Sequence, residues 1–325
     1  ELDVDAGSNS NIVTVAGGIG AANKGSGVGS VSWNDVDNTA KVNIKHSVVK
    51  AQNTEATAEN NAQIVSVTGQ ISGGKDAAIG AALGYVGLDN STEANISNTT
   101  FDKRADEETD GITVKADAQN RSDSYNIGAG VSAAGKAAVN GTVVVTQTHG
   151  TAGAVMDKVT INDAKSVTAN ALDDTDILSV IGTVTISGKA AVGAGVAYTE
   201  IGDVSTNPDN GQYVTAEIKN NSTINTDGAD SKVDVKAKDE ARVINVAVGV
   251  GGAANAAVQG ASATTLINKT TSAEIADTKI DEKGGTSAKV TVDAQNDSEI
   301  TSSADVAAAA ASGAGVGAGI AVNRI

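Results

Sequence analysis

From Ala314 to Val322 the even positions read Ala, Val, Ala, Ile, Val, while positions 315, 317 and 319 are glycine. Val246, Val248 and Val250 alternate with Ala247 and Gly249, and Ile79, Ala81, Leu83 and Tyr85 with Gly80, Ala82 and Gly84. Between Lys232 and Ala237, Val233, Val235 and Ala237 share one side and Lys232, Asp234 and Lys236 the other. A period of two predicts strands. Glycine at every second place removes the helical reading that alanine-rich runs would otherwise invite. The expectation is that Ala, Val and Ile point inward and pile up from coil to coil, with acidic and Asn-rich bends facing water. The glycine side then has two readings: a position where a neighbouring backbone packs close, or a flat face for lateral contact.

The alternating segments recur. An opening motif appears as Leu2–Ala6, Val48–Ala51, Ile112–Ala116, Val167–Ala169, Val233–Ala237 and Val290–Ala294. A small-residue turn follows as Gly74–Ala78, Gly135–Val139, Gly188–Val192 and Ala253–Val258, about 20 residues after most openings, as expected when each copy repeats one backbone path. The stretch Ala118-Gln119-Asn120 returns as Ala294-Gln295-Asn296. These anchors divide the chain into about six degenerate repeats, 1–47, 48–111, 112–166, 167–231, 232–289 and 290–325, within a single elongated unit. The predicted class is all-β: a parallel β-helix or β-solenoid, with about two coils of roughly 20 to 30 residues in each repeat.

Composition sharpens this. Aromatic residues make up 2% of the 325, so the large side chains on which compact cores depend are scarce, and an Ala/Val interior suits a thin stacked object. A net charge of −16 argues against nucleic acid and against anionic membrane surfaces as partners. With no cysteine, disulfides and thiolate metal sites are excluded. The run Val306–Val322 is too weakly hydrophobic for a membrane span, and no membrane insertion is expected. The chain starts at Glu1 without Met or a leader and stops in mid-pattern, which reads as a segment of a longer protein.

Candidate chemistry is sparse. His46 and His149 stand about 100 residues apart, outside any metal-spaced cluster, and read as strand or turn residues. Gly313–Gly319 imitates a phosphate loop but opens no helix. The acidic stretches Asp102–Asp110, Asp173–Asp176 and Asp227–Asp230 offer carboxylates to Ca²⁺, as does Asp35-Val-Asp37-Asn38, but they read first as solvated bends. A sugar-degrading site needs paired carboxylates and aromatic platforms, and Tyr85, Tyr125, Tyr198 and Tyr213 are widely scattered. Thr146/Thr148 and Thr183/Thr185 form Thr-x-Thr pairs that do not recur in register, and Leu2-Asp3-Val4 matches an integrin-type tripeptide whose Val4 is expected to face inward. No catalytic, cofactor or metal residue is assigned, and the chain is not expected to be an enzyme.

Val290-Thr-Val-Asp-Ala-Gln-Asn296, followed by Gly313-Ala-Gly-Val-Gly-Ala-Gly-Ile-Ala-Val322, resembles the repetitive shafts of filamentous adhesins of the leukotoxin and haemagglutinin type, exported by two-partner secretion or autotransporter routes. The resemblance implies a right-handed β-helix, secreted or at the bacterial surface. It also implies a receptor or glycan on host or bacterial cells as partner. Two alternatives stay open: a self-assembling filament or surface-layer subunit associating laterally or end to end, and a carbohydrate-active β-helix enzyme.

Overall fold

The computed structural model describes residues 1–103, 111–203, 212–228, 230–282 and 288–325. The chain is a parallel β-solenoid. Its first coil runs through β1 (Leu2–Ala22), a two-residue link, β2 (Gly25–Lys45), a tight corner and the short β3 (Val48–Lys50). The second repeats the path as β4 (Asn53–Gly74), β5 (Ala77–Ser97) and β6 (Thr100–Asp102). The third uses β7 (Ile112–Ala134), β8 (Ala137–Asp157) and the start of β9 (Thr160–Ser187), whose remainder is the long strand of the fourth coil. That coil continues through β10 (Ala190–Ile201), β11 (Gln212–Lys219) and β12 (Ser222–Thr226). The fifth comprises β13 (Lys232–Ala253), β14 (Ala256–Ile267), β15 (Lys269–Ile275) and β16 (Thr278–Glu282), and the sixth β17 (Lys289–Ala310) and β18 (Ala314–Arg324).

Two parallel sheets result. Sheet one stacks β1, β4, β7, β9, β13 and β17 and includes the short return strands; sheet two stacks β2, β5, β8, β10–β11, β14–β15 and β18. The register sets Leu2 beside Thr54, Asn53 beside Thr113, and Lys232 beside both Ser166 and Lys289, so one coil takes roughly one whole repeat. The expectation of two coils per repeat is therefore corrected: long strands of 21 to 23 residues use up what shorter strands would have spread over two turns. At about 3.3 Å per residue and 4.8 Å per coil, the solenoid is about 70 Å across and about 29 Å along its axis, a broad slab instead of a slender rod.

Two opening anchors also shift. The segment beside Leu2–Ala6 is Thr54–Ala58, whereas Val48–Lys50 is a return strand paired with Thr100–Asp102. In the third coil the matching stretch is Val114–Ala118, two residues beyond Ile112. The alternation Val-x-Val-x-Ala occurs at both places in the coil, and only hydrogen bonding tells them apart. Ala118-Gln119-Asn120 and Ala294-Gln295-Asn296 do occupy the same rungs, three coils apart with β9 and β13 between them. The small-residue turns stack as expected: Gly135 N–H donates to the Gly74 carbonyl at 3.2 Å and Gly188 N–H to Ala134 at 2.9 Å.

In cross-section the two ends of the coil differ. At the wide end, where the return strand adds a third wall, Val114, Ile96, Phe101, Met156, Ile161, Ile218 and Val233 are buried together, and Val235 and Ala237 point inward as the alternation requires. Each methylene buried there contributes about 0.8 kcal/mol. The corner leading into the return strand places His46, Asn98, Lys158, Asn221 and Asp277 at positive φ, and Asn and Asp tolerate that region better than most residues.

At the tapered end, where two residues join the sheets, the facing is the reverse of the expectation. Asn245, Ala247 and Gly249 point inward, and Val246, Val248 and Val250 outward; Gly80, Ala82 and Gly84 are inside, and Ile79 and Leu83 outside. The sheets lie too close for branched side chains between them. A Cβ on Gly128 would sit 2.8 Å from both Thr142 Cγ2 and Val144 Cγ2, and one on Gly130 2.6 Å from Asn140 Oδ1 and Thr142 Oγ1. The glycine side is thus a close-packed one, set against side chains of the opposite sheet here and against backbone in the sixth coil, at Gly315 and Gly319. What shares that interior is polar: Ser32 with Ser66 at 2.9 Å, Gln70 with Asn140 at 2.5 Å and Gln259 with Thr183 at 2.7 Å tie one sheet to the other, and Ser72 with Ser132 at 2.9 Å links neighbouring coils of sheet one.

Candidate functional site

Turning the aliphatic side chains outward creates two apolar faces on the tapered half. On sheet one, Val15, Val67, Ile127, Val180 and Val246 form one ridge along the axis, and Ile19, Ile71, Val131, Val184 and Val250 a second. Between them runs the low column Gly17, Gly69, Ala129 and Gly182, and its first three members floor a groove of about 580 Å³. Ile19 is 83% exposed.

Sheet two repeats the design. A trough of Gly29, Ala81, Gly141, Ala194, Gly260 and Ala318 lies beside a ridge of Val31, Leu83, Val143, Val196, Ser262 and Ile320. One further outward position carries Trp33, Tyr85, Val145 and Tyr198, so three of the rare aromatics share a column. The sequence reading took the tyrosines as scattered. The signal that joins them was present: each aromatic follows its ridge residue by two positions.

Trp33 and Tyr85 stack with ring centroids 4.0 Å apart and planes 21° from parallel. Stacked along the axis, they present faces to each other and edges outward, a poor arrangement for a sugar ring, which needs a bare aromatic face. Beyond them Tyr85 Oη donates to Gln147 Oε1 at 3.0 Å, Gln147 Nε2 to Glu200 Oε2 at 3.1 Å, and Tyr198 Oη to the same carboxylate oxygen at 3.0 Å. Burial and then the Glu200 hydrogen bond push the Tyr198 phenol up to about 12, so it stays a donor. Asp35, Asp37 and Asp89 lie exposed beside this strip, and burial, with Asp37 and Asp35 adding repulsion, lifts the Asp89 carboxyl above its usual range against the pull of His149.

Inside the slab lies a second concentration of charge. Ser8, Asn60, Asn120, Asp173, Asp239 and Asn296 occupy one inward rung of sheet one. Opposite, Gln212 and Lys269 share a rung of sheet two. The Lys269 ammonium, 1% exposed, bonds the Asp239 carboxylate and stands 3.6 Å from Asp173. Asp173 also accepts from Asn120 at 2.5 Å, from Thr175 at 3.0 Å and from Gln212. One lysine faces two carboxylates. Burial outweighs the lysine's attraction and raises both, Asp239 to about 7, where Asp173 adds repulsion.

A raised folded pKa stabilises fully below the unfolded value of about 3.9, and the benefit disappears as pH climbs through the folded value. Stability is therefore expected to fall by about 2 kcal/mol between pH 5 and pH 7.5. In Asp239→Asn most of that slope should vanish, as urea unfolding at the two pH values would reveal.

The remaining candidates are dispersed. His46 occupies the wide-end corner, His149 an outward strand position. Within Asp173–Asp176, Asp173 points inward and Asp174 and Asp176 outward, so these carboxylates do not converge; in Asp35–Asn38 the aspartates point out and Asn38 in. Most of Asp102–Asp110, and Ala229 within Asp227–Asp230, lie outside the described residues. Among the described residues no three His, Cys, Asp or Glu side chains gather as metal ligands. Thr146, Thr148, Thr183 and Thr185 are interior rungs, Val4 packs against the wide-end core, and Gly313–Gly319 is one turn residue followed by the start of β18. Among the described residues no helix is long and apolar enough to cross a membrane. No family model, curated protein or solved structure matches this chain.

Proposed function

We propose that the chain is a structural segment of a filamentous bacterial surface adhesin, one that works by presenting broad sheet faces to other molecules. The supporting observation is the price in residues of each step along the axis. A coil advances from Leu2 to Thr54, or from Ser166 to Lys232, and gains one strand spacing, about 4.8 Å. A spacer built for reach would use short coils. This one converts its residues into width and leaves aliphatic ridges on both faces of the tapered half, while its other outward positions carry the acidic charge that keeps a large surface soluble.

Displaying the chain on a non-adherent bacterial cell tests the reading. Attachment to host cells, or clumping of the displaying cells, is expected above that of cells displaying an unrelated domain. Absence of both responses would overturn the proposal, and hydrolysis of a polysaccharide by the purified chain would favour the enzyme alternative.

A further inference from the structure

We infer that two copies of the chain pair side by side through sheet two, about a two-fold axis parallel to the solenoid axis. The inference rests on the reading of the chain as a face-presenting structural segment and specifies which face meets which partner.

The argument is self-complementarity. On sheet two the outward positions run in order from the tapered edge: the Gly27 column, the Gly29 trough, the Val31 ridge, the Trp33 column, then Asp35 and Asp37. The edge itself carries Lys24 in the first coil, Lys75 beside Asp76 in the second, Lys136 in the third and Lys189 in the fourth. A two-fold axis running between the trough and the ridge exchanges these columns in pairs. The ridge of one copy then enters the other's trough, which is Gly or Ala in all six coils. The Trp33 column meets the column of Gly27, Ile79, Val139, Val192, Val258 and Val316, so Trp33, the largest side chain of the face, lies against a glycine in the first coil and apolar side chains meet one another in the others. The same rotation keeps coils level and lays each copy's Lys24 and Lys75 along the other's Asp35, Asp37 and Asp89, which are exposed in those same two coils. Ridge meets trough in every coil, apolar side chains meet in the outer columns, and basic meets acidic in the first two coils, all in one operation, as an isologous interface requires.

The area is sufficient. Eight residues of strand across six coils cover about 750 Å² on each copy, about 1,500 Å² in total, within the range of stable protein interfaces. Sheet one fits less well. Its groove is filled in the fifth coil by Val248 and in the sixth by Asp305, and of its outward acids Asp174, Asp176, Glu240, Asp297 and Glu299 only the first two are level with an edge lysine, Lys189.

Two glycines provide the test, because a side chain on either meets open space within its own copy: Gly141 in the sheet two trough and Gly182 in the sheet one groove. Sedimentation of the 325-residue chain at micromolar concentration is expected to show a dimer. Gly141→Lys should be monomeric with unchanged circular dichroism, and Gly182→Lys should remain dimeric. The chain has no cysteine, so mixing Ala194→Cys with Val196→Cys under mild oxidation should cross-link the mixture far more than either variant alone. A monomeric wild type, dimers that Gly182→Lys breaks and Gly141→Lys spares, or no preference for the mixed cross-link would each overturn the pairing. A monomer that still confers attachment when displayed on cells would overturn the pairing and leave the adhesin reading standing.

Discussion

Replacing Lys269 with methionine is expected to destabilise the chain by about 3–5 kcal/mol at pH 7.5, because it strands Asp173 and Asp239 in the interior without a counter-charge. The loss should shrink towards pH 4.5, where both carboxyls take up protons and the desolvation penalty falls away. Adding Asp239→Leu to Lys269→Met should recover much of the stability even at pH 7.5, since exchanging a buried ion pair for apolar side chains is often neutral or favourable. Urea unfolding followed by far-ultraviolet circular dichroism at the two pH values measures all three effects. A Lys269→Met variant equally stable at both pH values would mean that the ammonium does not hold this cluster together. The cluster also has a positional logic. Asparagine precedes it at residues 60 and 120 and follows it at 296, so aspartate enters the rung only in the two coils that Lys269 can reach.

Gly128→Val is expected to cost about 3 kcal/mol, and Gly182→Val to be neutral or to stabilise by about 0.5–1 kcal/mol. Both residues lie in long strands of sheet one on the tapered half, and β-propensity favours valine at each. They differ only in facing. The Gly128 side chain would collide with Thr142 and Val144 on the opposite sheet, forcing the sheets apart or the rungs out of register. At Gly182 a Cβ meets nothing within 4 Å, and valine would shed the entropic penalty of glycine in a strand. Thermal and urea unfolding of the two variants should move in opposite directions. Equal losses would show that the sheets are not closely packed at Gly128.

The same contrast explains why sequence-based reasoning placed the apolar side chains correctly at one end of the coil and wrongly at the other. At Val233, Val235 and Ala237 the pattern sets apolar against charged, and transfer free energy settles the facing without further information. At Val246, Val248 and Val250 the alternative face is Ala247 and Gly249, so both choices are apolar or nearly bare, and the usual preference for burying the larger group has little to oppose it. There the spacing between the sheets decides. Two residues join them at the tapered edge, and only small side chains, with hydroxyls and amides that can hydrogen-bond across, fit the gap.

The charged cluster was equally hidden. Lys269 and Asp173 are far apart in the chain, and neither is distinguishable locally from its solvated neighbours until the stacked coils bring them onto facing rungs. The aromatic column falls between these cases, since its two-residue offset from the ridge can be read once the coils are aligned, and aligning them required the hydrogen-bond register.

The amino-acid order by itself determined that the chain is strand, that it repeats, and that the repeats stack in parallel with their small-residue turns aligned, because a period of two and recurring turn residues are local properties of the backbone. The tertiary structure alone decided the length of a coil, which of two near-equivalent faces turned inward at the tapered end, and which distant charges met in the interior. Those outcomes depend on the distance between sheets and on register, and no single strand carries either.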